Sequence, residues 1–253
     1  MPTVEGAGVP LHYAARGDGA AALLIHGLAS DAEALAPVAE ALAAAGARAI
    51  AYDRRGYGSS GAPEPYEGTT VEEQAEDAAA LLRALAAAPA VVAGDGFGAL
   101  VALDLVKRHR GLVRGAVLSN PALYALVPEA TEMLSGQRKA IEEAVRAHGP
   151  AAGVETWLGG RAQADALARA RAAHLGFFAD YAGLATWSVS RRELRALDAP
   201  AVVLTGPWSP PHLVAAADAL AALLPAATRA TDGAIAAAVQ TLLSRPQPPR
   251  SWK

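Results

Sequence analysis

One ten-residue segment, residues 91–100, restricts the fold of this chain more than any other. It begins with an apolar run, continues with glycine at positions 94, 96 and 98, and ends in a pattern with helical spacing. Short apolar runs bounded by glycine are typical of buried strands, and glycine at the following junction is typical of a tight turn. The segment therefore predicts a strand, a tight turn and a helix, which is the repeating unit of a parallel sheet covered by helices.

Strand-like and helix-like segments alternate along most of the chain. Strands are predicted at residues 11–13, 21–25, 48–52, 90–93, 115–119, 201–205 and 227–230. Helices are predicted at residues 31–45, 71–86, 98–108, 131–148, 162–174, 213–224 and 235–243. The alternation predicts an α/β fold, and the strand at 11–13 is the one candidate for an antiparallel direction.

The alternation stops between about residues 121 and 197, where every pattern is helical. An all-helical block inside a strand–helix series is typical of an inserted cap subdomain. We therefore expect a core formed by residues 1–120 and 199–253, a helical cap at 121–198, and a Pro-rich tail from Arg245.

Composition excludes several classes of function. The 253 residues are 53% hydrophobic and 19% charged, which is enough for one sizeable core, and the formal net charge of −3 disfavours nucleic acid or an anionic membrane as a partner. The absence of cysteine excludes disulfides, thiolate metal sites and a cysteine nucleophile. No His, Asp and Glu cluster has metal-ligand spacing, so we expect no metal and no other cofactor. Without a leader or a spanning apolar run, we expect a soluble cytoplasmic protein, a monomer or homodimer, that binds a small apolar molecule.

Four motifs in this order resemble the α/β-hydrolase superfamily, specifically its small capped bacterial members. They are the His-Gly strand end at residues 24–28, the D-x-R-G-x-G-x-S-like loop at 53–59, the elbow and helix at 92–103, and the strand at 202–206. The resemblance covers roughly residues 10–245 and implies an α/β-hydrolase fold, a mostly parallel central sheet flanked by helices with an inserted helical cap. In that family the elbow reads G-x-S-x-G, and Gly94 and Gly98 match its flanking glycines.

The chain departs from the family at all three catalytic positions. Gly96 stands where the nucleophilic serine belongs, and the acid position falls near Ser209. No histidine follows His212, and residues 231–234 lead directly into the last helix, so the loop that carries the family's histidine is shortened. The departures together predict that the chain has no Ser-His-Asp machinery.

The backbone of an oxyanion hole does not depend on those side chains. The resemblance implies that the N–H groups of Leu28 and Phe97 form such a hole, which would polarise a carbonyl or stabilise an enolate. The alternative is that these glycine-rich segments only shape tight turns, and the sequence leaves both interpretations open.

Two titratable residues are candidate catalytic groups. Asp95 precedes Gly96 and is either a buried base, a carboxylate that holds backbone, or a nucleophile as in Asp-nucleophile dehalogenases. If Asp95 were the nucleophile, Phe97 would occupy a flanking position of the elbow that needs a small residue, so the nucleophile interpretation is disfavoured. His212 starts a predicted helix and titrates in the range that acid–base catalysis uses, although helix-start histidines are more often surface residues.

The candidate pocket residues combine polar strand-end positions with the aromatic residues of the cap region. They are His26, Asp53, Tyr124, Trp157, His174, Phe177, Phe178, Tyr181, Trp187 and Trp208. Aromatics are only 5% of the chain, so their concentration favours an apolar pocket for a large, flat or polycyclic ligand. The alternatives are that the aromatics form the core of the cap and that His26 and Asp53 organise their loops.

Residues 94–99 also fit the dinucleotide fingerprint G-x-G-x-x-A. The motif lies on a mid-chain strand, and Asn120 occupies the neighbourhood in which the fingerprint requires an acidic residue, so nicotinamide binding is disfavoured. The leading hypothesis is a cofactorless, non-hydrolytic enzyme of bacterial natural-product biosynthesis. The alternatives are an inactive homologue that senses or carries a small molecule, and a protein-interaction module.

Overall fold

The computed structural model describes residues 2–160 and 162–246, and these residues form an eight-stranded sheet between layers of helices. The strands are β1 (Thr3–Glu5), β2 (Pro10–Arg16), β3 (Ala21–Ile25), β4 (Arg48–Tyr52), β5 (Ala90–Asp95), β6 (Val113–Ser119), β7 (Ala201–Leu204) and β8 (Ala227–Ala230). Their order in the sheet is β1-β2-β4-β3-β5-β6-β7-β8. Strands β3 to β8 are parallel, whereas β2 runs antiparallel to both β1 and β4. The predicted α/β class is confirmed.

Ten α-helices occur in the described part of the chain. They are α1 (Ala36–Ala44), α2 (Val71–Ala84), α3 (Phe97–Arg108), α4 (Thr131–His148), α5 (Pro150–Leu158), α6 (Ala164–Ala172), α7 (His174–Thr186), α8 (Arg191–Arg195), α9 (Pro211–Leu223) and α10 (Ile235–Leu243). All elements between β6 and β7 are helical, with residue 161 outside the description. The predicted Pro-rich tail lies outside the described residues from position 247 onward.

The structure corrects two predicted helices. The helix predicted at 31–45 begins only at Ala36, after a 3-10 turn at Glu33–Leu35, because proline is favoured in the first turn of a helix and Pro37 occupies it. The helix predicted at 162–174 spans Ala164–Ala172, and His174 instead begins the next helix. The strand predicted at 11–13 is part of β2 and is antiparallel.

Alternate side chains of the buried strands pack against different helices. In β3, Leu23 and Ile25 belong to the core that α2 and α3 cover, whereas Leu24 belongs to the core that α1 and α10 cover. This follows from the two-residue period of a strand, and burial on both faces explains why β3 and β5 are continuous apolar runs. The sheet is thereby fixed from both sides, with its carboxyl edge free to carry loops.

A buried arginine connects the cap to the sheet. Arg54 has no exposed surface, and its Nη1 lies 2.7 Å from the Asp180 carboxylate of α7. The same guanidinium donates hydrogen bonds to the backbone carbonyls of His26 and Gly27, both at 3.0 Å. Tyr57 donates to Asp180 at 2.8 Å. One side chain therefore holds both the strand end after β3 and helix α7 of the cap.

We expect Asp180→Ala to lower the free energy of unfolding by about 3–5 kcal/mol, because it leaves the Arg54 charge buried without its partner. Chemical denaturation followed by circular dichroism measures the change. The matched control is Asp18→Ala, which removes an exposed loop carboxylate and should change stability by less than about 0.5 kcal/mol. Equal effects of the two substitutions would contradict the role assigned to the buried pair.

Candidate active site at the glycine elbow

The turn between β5 and α3 has the strained geometry of a nucleophile elbow. Gly96 caps α3 with φ 56° and ψ −113°, a conformation that L side chains rarely adopt. A Cβ atom built on Gly96 would meet no other atom within 4 Å. The backbone of the elbow is therefore present, and the position of the missing nucleophile opens into free space.

The flanking glycines are required by close backbone approach. A Cβ atom on Gly94 would overlap the carbonyl of Gly98, and one on Gly98 would overlap the carbonyl of Ile25 at the end of β3. Only glycine lets the first turn of α3 pack against both strands. This packing sets the distance between the elbow and the strand end after β3.

The two predicted oxyanion-hole amides lie on those adjoining segments. Phe97 is the first residue of α3, so its N–H has no acceptor within the helix, and the positive end of the helix dipole lies there. Leu28 follows Gly27, which passes so close to β5 that a Cβ on it would lie 3.0 Å from the Asp95 carbonyl oxygen. Among the described residues, neither amide donates a hydrogen bond to another group.

His26 stabilises this strand end from within the protein. Its Nδ1 donates to the Gly27 carbonyl at 2.9 Å, and its Nε2 accepts from the Arg54 backbone N–H at 3.0 Å. Burial lowers the pKa of His26 well below its ordinary value, and the nearby Arg54 charge acts in the same direction. A neutral imidazole with both nitrogens occupied orients the loop.

A hydrogen-bonded polar cluster occupies the region of the family's catalytic side chains. The Asp95 Oδ1 atom accepts from Ser119 Oγ at 2.7 Å and from Asn120 Nδ2 at 3.0 Å. Asn120 Oδ1 in turn accepts from Ser209 Oγ at 2.6 Å. Sequence reasoning did not select Ser119 or Asn120 as site residues. The signal available for them was their position at the carboxyl end of β6, the strand beside β5: Ser119 is its last residue, and Asn120 follows directly.

Asp95 has one oxygen that remains available to a ligand. Burial raises the pKa of Asp95, and the hydrogen bonds from Ser119 and Asn120 oppose that rise. Its Oδ2 makes no hydrogen bond within the described residues. Among the described residues, Tyr52 Oη is the fully buried side-chain polar atom that has no hydrogen-bond partner. Asp95 Oδ2 also has no partner there but is not fully buried, so it keeps some access to solvent.

A cavity of about 700 Å³ lies between the cap and the elbow. Leu28 and Leu100 line it on the elbow side, and Arg138 lines it on α4. Five of the predicted pocket residues line this cavity: Tyr124, Trp157, Phe178, Tyr181 and Trp187. Its walls are therefore largely apolar and aromatic.

The other predicted site residues lie away from the cavity lining. Phe177 is fully buried in the core, and Trp208 is 94% exposed. Asp53 accepts from His12 Nδ1, from the Ser59 amide of its own loop and from the Ala32 amide of the loop after β3. His174 contacts the Arg171 carbonyl at the start of α7. These contacts give Asp53 and His174 local structural roles.

His212 is placed at the start of α9, beside the cavity. Its ring centroid lies 5.8 Å from that of Tyr124, which is a cavity residue. Asp95 contacts the end of β6, whereas His212 contacts the cap side.

The sheet order, the elbow and the inserted helices define an α/β hydrolase. Residues 18–174 match the family model described as serine aminopeptidase S33, and the chain belongs to this hydrolase family. The expected α/β-hydrolase fold is thereby confirmed.

Curated relatives match about half of the chain. The uncharacterized hydrolase YraK of Bacillus subtilis (strain 168) is 37% identical over 125 residues, which are 49% of this chain and 46% of the relative. The putative carbamate hydrolase RutD of Variovorax paradoxus (strain S110) is 39% identical over 114 residues, 44% of this chain and 42% of the relative. The chain spans less than half the length of these two relatives in the matched region.

Solved structures match over nearly the whole chain. The enol-lactonase from Burkholderia xenovorans LB400 has 22% identity, a TM-score of 0.75, and coverage of 96% of this chain and 100% of that chain. A thermophilic esterase from Thermogutta terrifontis has 25% identity, a TM-score of 0.74, and coverage of 95% and 94%. In the described part of this chain, no helix is both long and apolar enough to cross a membrane.

We expect Gly98→Ala to destabilise the protein by about 1–3 kcal/mol, because the added methyl group overlaps the end of β3. Gly136→Ala is the matched control, since Gly136 is also helical but a Cβ atom there meets nothing within 4 Å. It should stabilise the protein by up to about 1 kcal/mol. Urea denaturation measures both, and effects of the same sign would contradict the packing described for the elbow.

Proposed function

We propose that this protein is a non-hydrolytic, cofactor-independent enzyme that binds an apolar, polycyclic or polyketide-like intermediate beneath its cap. The reaction would be a cyclisation, a C–C bond formation, an elimination or an isomerisation in bacterial natural-product biosynthesis. The observation that carries the proposal is the elbow itself. It keeps its strained backbone and its neighbouring amides, has no nucleophile, and opens near an aromatic cavity.

Hydrolysis through an acyl-enzyme requires a nucleophile and a base that activates it. Gly96 supplies no nucleophile, and the residue nearest the family's acid position, Ser209, is engaged with Asn120. None of the four residues before α10, residues 231–234, is a histidine, although the family carries its catalytic histidine in this part of the chain. The similar proteins are named as hydrolases and esterases. This chain would share their fold but catalyse a different kind of reaction.

In the proposed mechanism, a carbonyl oxygen of the ligand points to the amides of Leu28 and Phe97. These amides stabilise the negative charge that develops on that oxygen. Asp95 accepts or returns a proton through Oδ2, and burial keeps its pKa closer to the working range of a general acid or base. The aromatic walls hold the ligand in a reactive conformation. Position 96 has no serine that could form an acyl-enzyme for water to hydrolyse.

One observation favours a second candidate, an inactive homologue that senses or carries a small molecule. Neither Asp95 nor His212 is among the residues that line the cavity. A ligand enclosed by the cap would then contact chiefly apolar and aromatic walls. Under this candidate the ligand binds without forming a product.

We expect the protein to hydrolyse p-nitrophenyl butyrate no faster than buffer, and Gly96→Ser to remain equally inactive. The serine side chain fits in the open space at position 96, but no histidine follows His212, so the chain lacks the histidine that the family places after its last strand to activate the serine. Absorbance of released p-nitrophenolate measures the rates. Saturable hydrolysis by the unmodified protein would contradict the non-hydrolytic assignment.

Deletion of the gene should cause one compound to accumulate and one product to disappear. The purified protein should convert the first compound into the second, which mass spectrometry detects. Asp95→Asn should lower the rate by about 10²–10⁴-fold, because it removes proton exchange while keeping the side-chain shape. An unchanged metabolite profile together with ligand binding but no product would favour the sensor or carrier.

A further inference from the structure

The polar cluster beside the elbow has hydrogen-bond directions that follow from one backbone amide. The Gly206 N–H donates to Ser209 Oγ at 2.8 Å, and the Ser209 hydroxyl therefore gives its own hydrogen to Asn120 Oδ1. With Oδ1 directed at Ser209, the Asn120 amide nitrogen faces Asp95. The reverse amide orientation would bring the acceptor oxygens of Asn120 and Asp95 face to face.

The same directions distinguish the two oxygens of Asp95. Oδ1 receives one hydrogen from Asn120 Nδ2 and another from Ser119 Oγ, so a proton on Oδ1 would displace a donor. Oδ2 lies on the side of Gly27, 3.6 Å from the position of a Cβ built on that residue. Gly27 immediately precedes Leu28, so Oδ2 faces the segment that carries one of the two amides.

We infer that Ser119, Asn120 and Ser209 are positioning residues that make Oδ2 the only oxygen of Asp95 that exchanges a proton with a ligand. The inference rests on the proposed function and specifies its ligand. The ligand carries an acidic C–H or an enol O–H that is conjugated with the carbonyl held by Leu28 and Phe97.

The proton transfer balances without a further reagent. The proton moves from the ligand to Asp95 Oδ2, and the electron pair of the broken C–H or O–H bond stays on the ligand, where it is delocalised onto the oxygen at the two amides. Return of the proton from Oδ2, to the same or another ligand atom, restores the Asp95 carboxylate. No oxidant, reductant or co-reactant takes part.

Infrared difference spectroscopy between neutral and acidic pH tests the inference on the substrate-free protein. The carbonyl band of protonated Asp95 is assigned by its loss in Asp95→Asn. If the proton is on Oδ2, the carbonyl oxygen is Oδ1, which accepts two hydrogen bonds, and removal of one donor should move the band to higher frequency. A band that does not move would place the proton on Oδ1 and overturn the inference.

The donor is removed by Asn120→Gly, because Asn120 has φ 45° and glycine keeps this backbone conformation without strain. Ser209→Ala is a second variant that leaves Asn120 in place but removes its fixed orientation, and Ser209→Thr should restore the wild-type band. Ser59→Ala, which removes an exposed hydroxyl that makes no contact with Asp95, is the control and should leave the band unchanged.

A carbon-13 titration of the Asp95 carboxyl provides a second readout. Asn120→Gly should raise the apparent pKa of Asp95 above the wild-type value, since it removes a hydrogen bond to the ionised form. An unchanged pKa would overturn the assignment of Asn120. Both readouts need no substrate, so a shifted band without any enzymatic product would refute the proposed function and leave the positioning role intact.

Discussion

The buried ion pair between Arg54 and Asp180 is the interaction on which the arrangement of the site depends. Removing two charges from water is costly, and the cost is offset only where the geometry is good and the remaining donors and acceptors are used. Here the guanidinium also donates to two backbone carbonyls, and Asp180 also accepts from Tyr57 and Gln74. The pair thus ties the position of the cap to the position of the amide at Leu28. The Arg54 side chain thereby connects cap helix α7 directly to the backbone that leads into Leu28.

The parallel sheet determines which residues meet at this edge. Strands β3, β5, β6 and β7 are neighbours, so the residues that follow them are brought together at the carboxyl edge, where ligands bind in open α/β sheets. Gly27 follows β3, Gly96 follows β5, Asn120 follows β6 and Ser209 follows β7. The cluster therefore has the location of a catalytic centre in this fold even though its side chains are different.

The parts of this arrangement that depend on local backbone rules could be predicted from the sequence. The glycines at 94, 96 and 98 indicated the elbow because each answers a steric requirement of the turn, and the strand at 48–52 followed from an apolar run between polar ends. The faces of the cap helices could not be predicted in the same way. Phe177 and Phe178 are adjacent, so they point about 100° apart around α7, and tertiary packing sends the first into the core and the second to the cavity.

The polar cluster escaped prediction for a related reason. Ser119, Asn120 and Ser209 are small polar residues at or after the ends of strands, a pattern shared by most loops. Their role becomes visible only through hydrogen-bond partners that lie 24 to 89 positions away in the sequence. Asp95 carried a clearer signal, since a carboxylate beside the elbow has to be either paired or used. Its two donors both reach Oδ1, and no charged side chain is among the causes that set its pKa.

The polar cluster around Asp95 is also relevant to whether the site is only a remnant of a hydrolase active site. Burying an ionisable carboxyl without a countercharge costs stability, whereas an asparagine at position 95 would keep an acceptor for Ser119 and Asn120 without that cost. The chain nevertheless places a carboxyl there, directly before Gly96, whose side-chain position is open space. A site that merely lost its nucleophile would have no need of a desolvated acid with one oxygen held and the other accessible. That combination is the arrangement that a proton-transfer reaction requires, and it supports catalysis over passive binding.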